Sequence, residues 1–223
     1  MPLSLFITQP DHDPHHKIAL VIAATLTLLV GLALFQAARQ AASHPDKGAL
    51  NAAGIILLPQ SRAWPNLPLL DQHGEVLPVS RLQGKWTLVF FGYTFCPDIC
   101  PTTLAELRQL LGSLSAEQRQ QVQVLMVSVD PQRDTPQQLR DYLAYFDPDY
   151  IGLTGQLDDI QQLANALSIP FIPGDSSQEN YTVDHSGNLA LLGPDGRQQG
   201  FIRAPLNLAQ LQQQLPKLLQ RQP

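Results

Sequence analysis

Apolar residues fall into two regimes along this chain. Residues 18–35 are almost wholly apolar, and no charge occurs from 18 to 38, with Lys17 before the run and Arg39 after it. A helix of about 20 such residues rises about 30 Å, enough to cross the hydrocarbon core of a bilayer. Beyond it the apolar runs are short and punctuated. Residues 40–66 mix Ala, Ser, Pro and Gly around an apolar patch at 54–58 and predict a linker that partly docks. A Gly-centred turn between apolar stretches at 69–76 predicts a small hairpin, and residues 86–91 predict a buried strand. Leu104, Leu107, Leu111 and Leu114 lie at helical spacing, so a helix follows, with Pro101 at its first position, Cys100 near its cap and residues 96–100 as the turn before it. Residues 122–129 predict a second buried strand, 136–146 a helix capped by Thr135, and 158–167 a third helix.

Strand-like segments at 181–183, 188–192 and 198–202 then enclose the loop 184–187 and a Gly-Pro-Asp-Gly turn, ahead of a last helix from Leu206 that Pro216 should kink or split. The segment 169–180, with Pro170, Pro173 and Gly174, reads as a surface loop or a flap. Strands alternating with helices and closed by an antiparallel hairpin predict an α/β fold, a thioredoxin-like mixed sheet flanked by helices, behind one N-terminal transmembrane helix. The expected organisation is a short cytoplasmic segment at 1–17, an anchor at 18–38, a linker at 39–60 and a thioredoxin-like domain at 61–223. The run is longer than the core of a secretory signal and its leader is hardly basic, which favours an uncleaved anchor over cleavage near Ala37-Ala38 or Ala41-Ala42. Flanking charge barely orients the span. A single span ahead of a cysteine-bearing domain places that domain outside the cytoplasm, where a disulfide can persist.

The net charge of −5 and the absence of any Lys/Arg run argue against nucleic acid as a partner. The chemistry gathers elsewhere. Cys96 and Cys100 are the only cysteines, set four apart in a proline-bounded turn between a strand and a helix. That position is the carboxyl edge of a sheet, where α/β folds hold their ligands, and the positive end of the helix should favour thiolate. The pair can form a disulfide, bind a soft metal, or do both in turn; buried structural thiols are the plain alternative. His185, 85 residues after Cys100 in a short loop, is either a third ligand or a turn residue. Asp98, between the cysteines, and Asp184, beside the histidine, are the acids placed to support the ligands. His73 reads as an exposed turn residue, and His12, His15 and His16 precede the span. Two thiolates and an imidazole make a soft three-ligand set; structural zinc takes four protein ligands as a rule, so this set leans toward copper, with an open edge for handing the metal on. In the turn 133–135, Asp134 and Thr135 are expected to satisfy free amides at the next helix's start, and Arg133 to pair with an acid.

Four blocks in order resemble the Sco/SenC family: Gly84-Lys85-Trp86 through Phe91-Gly92-Tyr93-Thr94-Phe95-Cys96-Pro97-Asp98-Ile99-Cys100-Pro101-Thr102-Thr103-Leu104; Val129-Asp130-Pro131-Gln132-Arg133-Asp134-Thr135-Pro136; Gly152-Leu153-Thr154-Gly155; and Val183-Asp184-His185-Ser186. The resemblance implies a membrane-tethered, thioredoxin-like copper protein that helps assemble cytochrome c oxidase. It implies copper, as Cu(I) with Cu(II) also open, on Cys96, Cys100 and His185, and a Cys96–Cys100 pair cycling between dithiol and disulfide. It implies as partners the copper-bearing oxidase subunit and a periplasmic copper donor or thiol reductant, with membrane lipid around 18–38. The implied location is the bacterial inner membrane, single-pass, with the domain in the periplasm. No catalytic residue is assigned: a metallochaperone is expected rather than an enzyme. The alternative is a thiol:disulfide reductase that keeps the oxidase's copper-binding cysteines reduced. A peroxiredoxin-like reading is weaker, because Thr94 stands two rather than three residues before Cys96.

Overall fold

The structure is a computed structural model that describes residues 14–43 and 46–220. Most of the expected segment 1–17 lies outside the described residues. The chain divides into two compact units between His44 and Pro45. The first contains the helix α1 (Pro14–Ser43), whose stretch Lys17–Gln36 has a mean hydropathy of 2.7 and the length to cross a membrane. Its Thr25 and Thr27 hydroxyls donate to backbone carbonyls one turn back, so neither polar group is left bare on an apolar helix.

The second unit begins with α2 (Lys47–Ala52), capped by the Asp46 carboxylate, and continues into β1 (Ile55–Arg62). Next come β2 (Leu70–Asp71), a 3-10 turn (Val79–Leu82), β3 (Trp86–Gly92) and α3 (Ile99–Gly112). Then follow α4 (Ala116–Gln120), β4 (Val122–Ser128), α5 (Pro136–Phe146), β5 (Ile151–Thr154), α6 (Leu157–Ala166), β6 (Leu189–Leu192), β7 (Gln198–Ile202) and α7 (Leu208–Leu219). The strands form one seven-stranded sheet in the order β1-β7-β6-β3-β4-β5-β2. Strands β3, β4 and β5 run parallel and the other pairings are antiparallel. This is the expected mixed, helix-flanked, thioredoxin-like sheet.

Central position explains composition. All seven residues of β3 are buried, because a strand with both sheet faces covered has no polar side to alternate with. Helix α3 turns Leu104, Leu107, Leu110 and Leu111 inward, where it meets α5 and α7. The parallel pairing of β3 with β4, from Trp86 opposite Val122 to Gly92 opposite Ser128, brings the turns after both strands to the same sheet edge.

Several expectations change. The patch at 54–58, read as linker, supplies the edge strand β1; Pro59 and the polar residues after it hide a strand that β7 pairs on one side only. Residues 181–183 form no strand, and the chain there makes a single bridge between Ile172 and Asp184. The turn at 69–76 closes through one bridge, Leu70 to Val76, while β2 pairs with β5. Helix α3 starts at Ile99 with Asp98 in the cap position, so Pro101 lies within the first turn, where its missing N–H costs no helical bond. Helix α7 is continuous through Pro216, which falls in its last turn.

Candidate metal centre

The turn after β3 starts with crowding. A Cβ on Gly92 would lie 2.8 Å from Cys100 Sγ and 2.5 Å from the Phe90 ring, so only glycine lets the first turn of α3 pack this close to the strand. Cys100 is fully buried and Cys96 is 8% exposed; both are free thiols. The loop between Ile172 and β6 brings His185 to them, with Nε2 at 3.2 Å from Cys100 Sγ and 4.0 Å from Cys96 Sγ. All three ligand atoms lie within 4.8 Å of one another, the one such group of His, Cys, Asp and Glu among the described residues.

The imidazole is held in one tautomer. Its Nδ1 is 2.8 Å from the Val183 carbonyl, which can only accept, so Nδ1 carries the proton and Nε2 turns a lone pair toward the sulfurs. Tyr93 holds the same loop twice: its hydroxyl accepts the Val183 N–H (3.3 Å), and its ring meets the imidazole edge-on at 5.4 Å. The Tyr93 N–H donates to Cys100 Sγ at 3.4 Å. Burial lowers the His185 pKa, against the raising effects of Val183 and, after it, Asp184, so the ring stays neutral and ready to ligate at neutral pH.

Burial also decides the thiol. The sequence predicts a thiolate favoured by the helix's positive end, yet desolvation pushes the Cys100 thiol strongly up, outweighing the Tyr93 N–H that favours the anion. Cys100 is therefore a protonated thiol at neutral pH that a soft metal must deprotonate on binding.

Behind the turn lies a buried carboxylate. Asp134 is fully buried and accepts from the Thr94 hydroxyl (2.6 Å), the Thr94 N–H (3.1 Å) and the Ser128 hydroxyl (2.7 Å), tying the cysteine turn to the end of β4. The expected capping of α5 falls to Thr135 alone, whose hydroxyl accepts the Gln138 N–H. Arg133 pairs with Asp130, as expected of it, and its guanidinium also lies 3.7 Å over the Tyr181 ring and 4.9 Å from that of Phe95. Asp130 in turn accepts the Tyr181 hydroxyl at 2.6 Å.

The acids singled out beside the ligands are placed differently. Asp98 is exposed and its side chain makes no cap bond. Asp184 is exposed; its backbone carbonyl takes the Ile172 N–H, and the imidazole is oriented by Val183 instead. His73 is exposed in its turn and His15 is exposed on α1, while His12 and the side chain of His16 lie outside the described residues. Tyr93, Val183 and Asp134 are the supports that residue-by-residue reading overlooks: a backbone carbonyl leaves no trace in a sequence, and Asp134 resembles a helix cap.

The family model described as SCO1/SenC matches residues 60–220. The chain belongs to the SCO1/SenC family. Among its relatives is a protein of Stutzerimonas stutzeri named for copper binding, 51% identical over 175 residues, which cover 78% of this chain and 86% of that one. The fold matches Bradyrhizobium japonicum ScoI with copper bound at a TM-score of 0.61 and 32% identity, over 70% of this chain and 98% of that one. It matches yeast Sco1 with copper bound at a TM-score of 0.65 and 28% identity, over 73% and 91%. In this SCO1/SenC chain the donor set fits a soft, low-coordinate ion: two sulfurs and one neutral imidazole nitrogen, the second ring nitrogen already satisfied.

Proposed function

We propose that this chain is a membrane-anchored copper metallochaperone that binds copper through Cys96, Cys100 and His185 and delivers it to the binuclear copper centre of cytochrome c oxidase during assembly. The convergence of Cys96 Sγ, Cys100 Sγ and His185 Nε2, with Nδ1 tied to a carbonyl, carries the reading. Copper is the cargo. It enters as the Cys100 thiol gives up its proton and both sulfurs bind, and it leaves by ligand exchange, an acceptor ligand replacing each departing sulfur. Three ligands leave an edge at which an acceptor's first ligand can join before any donor lets go. The copper-bound relatives support the choice of metal. The apolar stretch Lys17–Gln36 supports an inner-membrane anchor, with residues 1–17 cytoplasmic and the domain in the periplasm.

Copper titration of the reduced full chain against a chromophoric Cu(I) chelator tests this. One-to-one binding is expected, weakened in His185→Ala by more than about 100-fold, the usual ceiling for losing a mere outer partner of a ligand. Equal affinity in the variant would remove His185 from the site.

A second reading has one observation in its favour, two free thiols sharing one turn. A thiol:disulfide reductase would keep its dithiol exchange in His185→Ala, whereas the copper donor would lose delivery.

A further inference from the structure

Among the described residues of the globular unit, five large hydrophobic side chains stand exposed: Val76, Phe95, Ile99, Tyr145 and Ile172. Three of them surround the metal centre. Phe95 (54% exposed) and Ile99 (37%) flank Cys96 within the cysteine turn. Ile172 (67%) is bonded through its N–H to the carbonyl of Asp184, next to His185. Ile99 also closes on the histidine loop, its Cδ1 lying 2.8 Å from where a Gly187 Cβ would be. An apolar rim of this kind around a ligand set is costly to leave in water and marks a contact surface.

The charge around it is mostly negative. No Lys or Arg occurs from 94 to 107 or from 168 to 196, whereas Asp98, Asp175, Glu179 and Asp184 are all exposed there. Of the cations at this edge, Arg133 is neutralised by Asp130 and covered by the Tyr181 and Phe95 rings, which leaves exposed Arg203, beside Ala204 at the end of β7, against four exposed carboxylates. Such a face repels an anionic lipid surface and attracts a cationic one.

We propose that the face built from Phe95, Ile99 and Ile172 within a rim of carboxylates is a docking surface for a protein whose own metal-accepting site is apolar at its centre and basic at its edge. This rests on the copper-donor reading. The apolar centre excludes water at the moment of ligand exchange, and the carboxylates speed encounter and set orientation.

The test follows Cu(I) transfer from the full chain in zwitterionic nanodiscs to the reduced, metal-free copper-binding domain of the oxidase subunit, across ionic strength. Wild-type transfer slows as salt rises. Ile172→Ser slows it about tenfold and Glu179→Lys slows it while flattening the salt dependence, both with Cu(I) affinity unchanged. Transfer at the wild-type rate in both variants, insensitive to salt and with Cu(I) still bound, overturns the surface and leaves the copper-donor reading standing. A wild-type chain that binds no Cu(I) overturns that reading first, and this one with it. Anionic vesicles captured through Ile172, or self-association lost in Ile172→Ser, would overturn the protein partner in favour of a membrane or a second copy.

Discussion

Gly92 is where the site is most sensitive to a single atom. An alanine there places its methyl against Cys100 Sγ and the Phe90 ring, neither of which has room to retreat. Overpacking of this kind costs about 1–3 kcal/mol. In Gly92→Ala the strain is shared by the Phe90 ring and the sulfur, and Cu(I) affinity should drop about tenfold or more while His185 stays in place; chelator competition measures it. Asp134 acts one step further back. Removing its carboxylate in Asp134→Ala leaves the Thr94 and Ser128 donors unpaired in the interior. That should cost about 3 kcal/mol of folding stability in denaturant titration. The two cysteines were legible because a pair in a proline-bounded turn at a strand end has few other uses. His185 became decisive only when the loop was folded back onto them. Its real support, the Val183 carbonyl, is a backbone atom that no side-chain pattern encodes.

At the scale of elements, legibility followed burial. Strands β3 and β4 read directly as apolar runs because both sheet faces are covered there, and α3 and α5 read from leucine spacing and a capping threonine. Edge and very short strands did not. Strand β1 is half-exposed and interrupted by Pro59, and β5 is only four residues long. The strand read at 181–183 is a loop pinned by side chains: Arg133 donates to the Tyr181 carbonyl and Tyr93 accepts from Val183. Helix α5 offers a clean test, since its cap is Thr135 rather than the neighbouring Asp134. Thr135→Ala should lower stability by about 1 kcal/mol in a thermal or denaturant melt, and leave copper affinity unchanged because Thr135 touches no ligand.

Across the whole molecule, protons and copper are linked. Burial lowers the folded His185 pKa below the ordinary 6.5. Above 6.5 the ring is neutral folded or unfolded, and below it the unfolded chain takes up the proton first. The metal-free protein therefore loses stability as pH falls from 6.5 through the lowered folded value, which melts from pH 7 to pH 5 record and His185→Ala removes. Cys100 gives copper binding the same dependence on pH. Its thiol pKa is raised, so copper must displace its proton, and Cu(I) affinity rises with pH by about tenfold per unit or more. Calorimetry in buffers of different ionisation enthalpy counts the protons released. One copper ion held between Cys96, Cys100 and His185 has a distinct signature in copper K-edge X-ray absorption on the Cu(I)-loaded full chain. A three-coordinate site with two sulfurs and one nitrogen, reduced to sulfur alone in His185→Ala, is the predicted spectrum. An unchanged spectrum in the variant, or copper–copper scattering from a shared sulfur cluster, would contradict it.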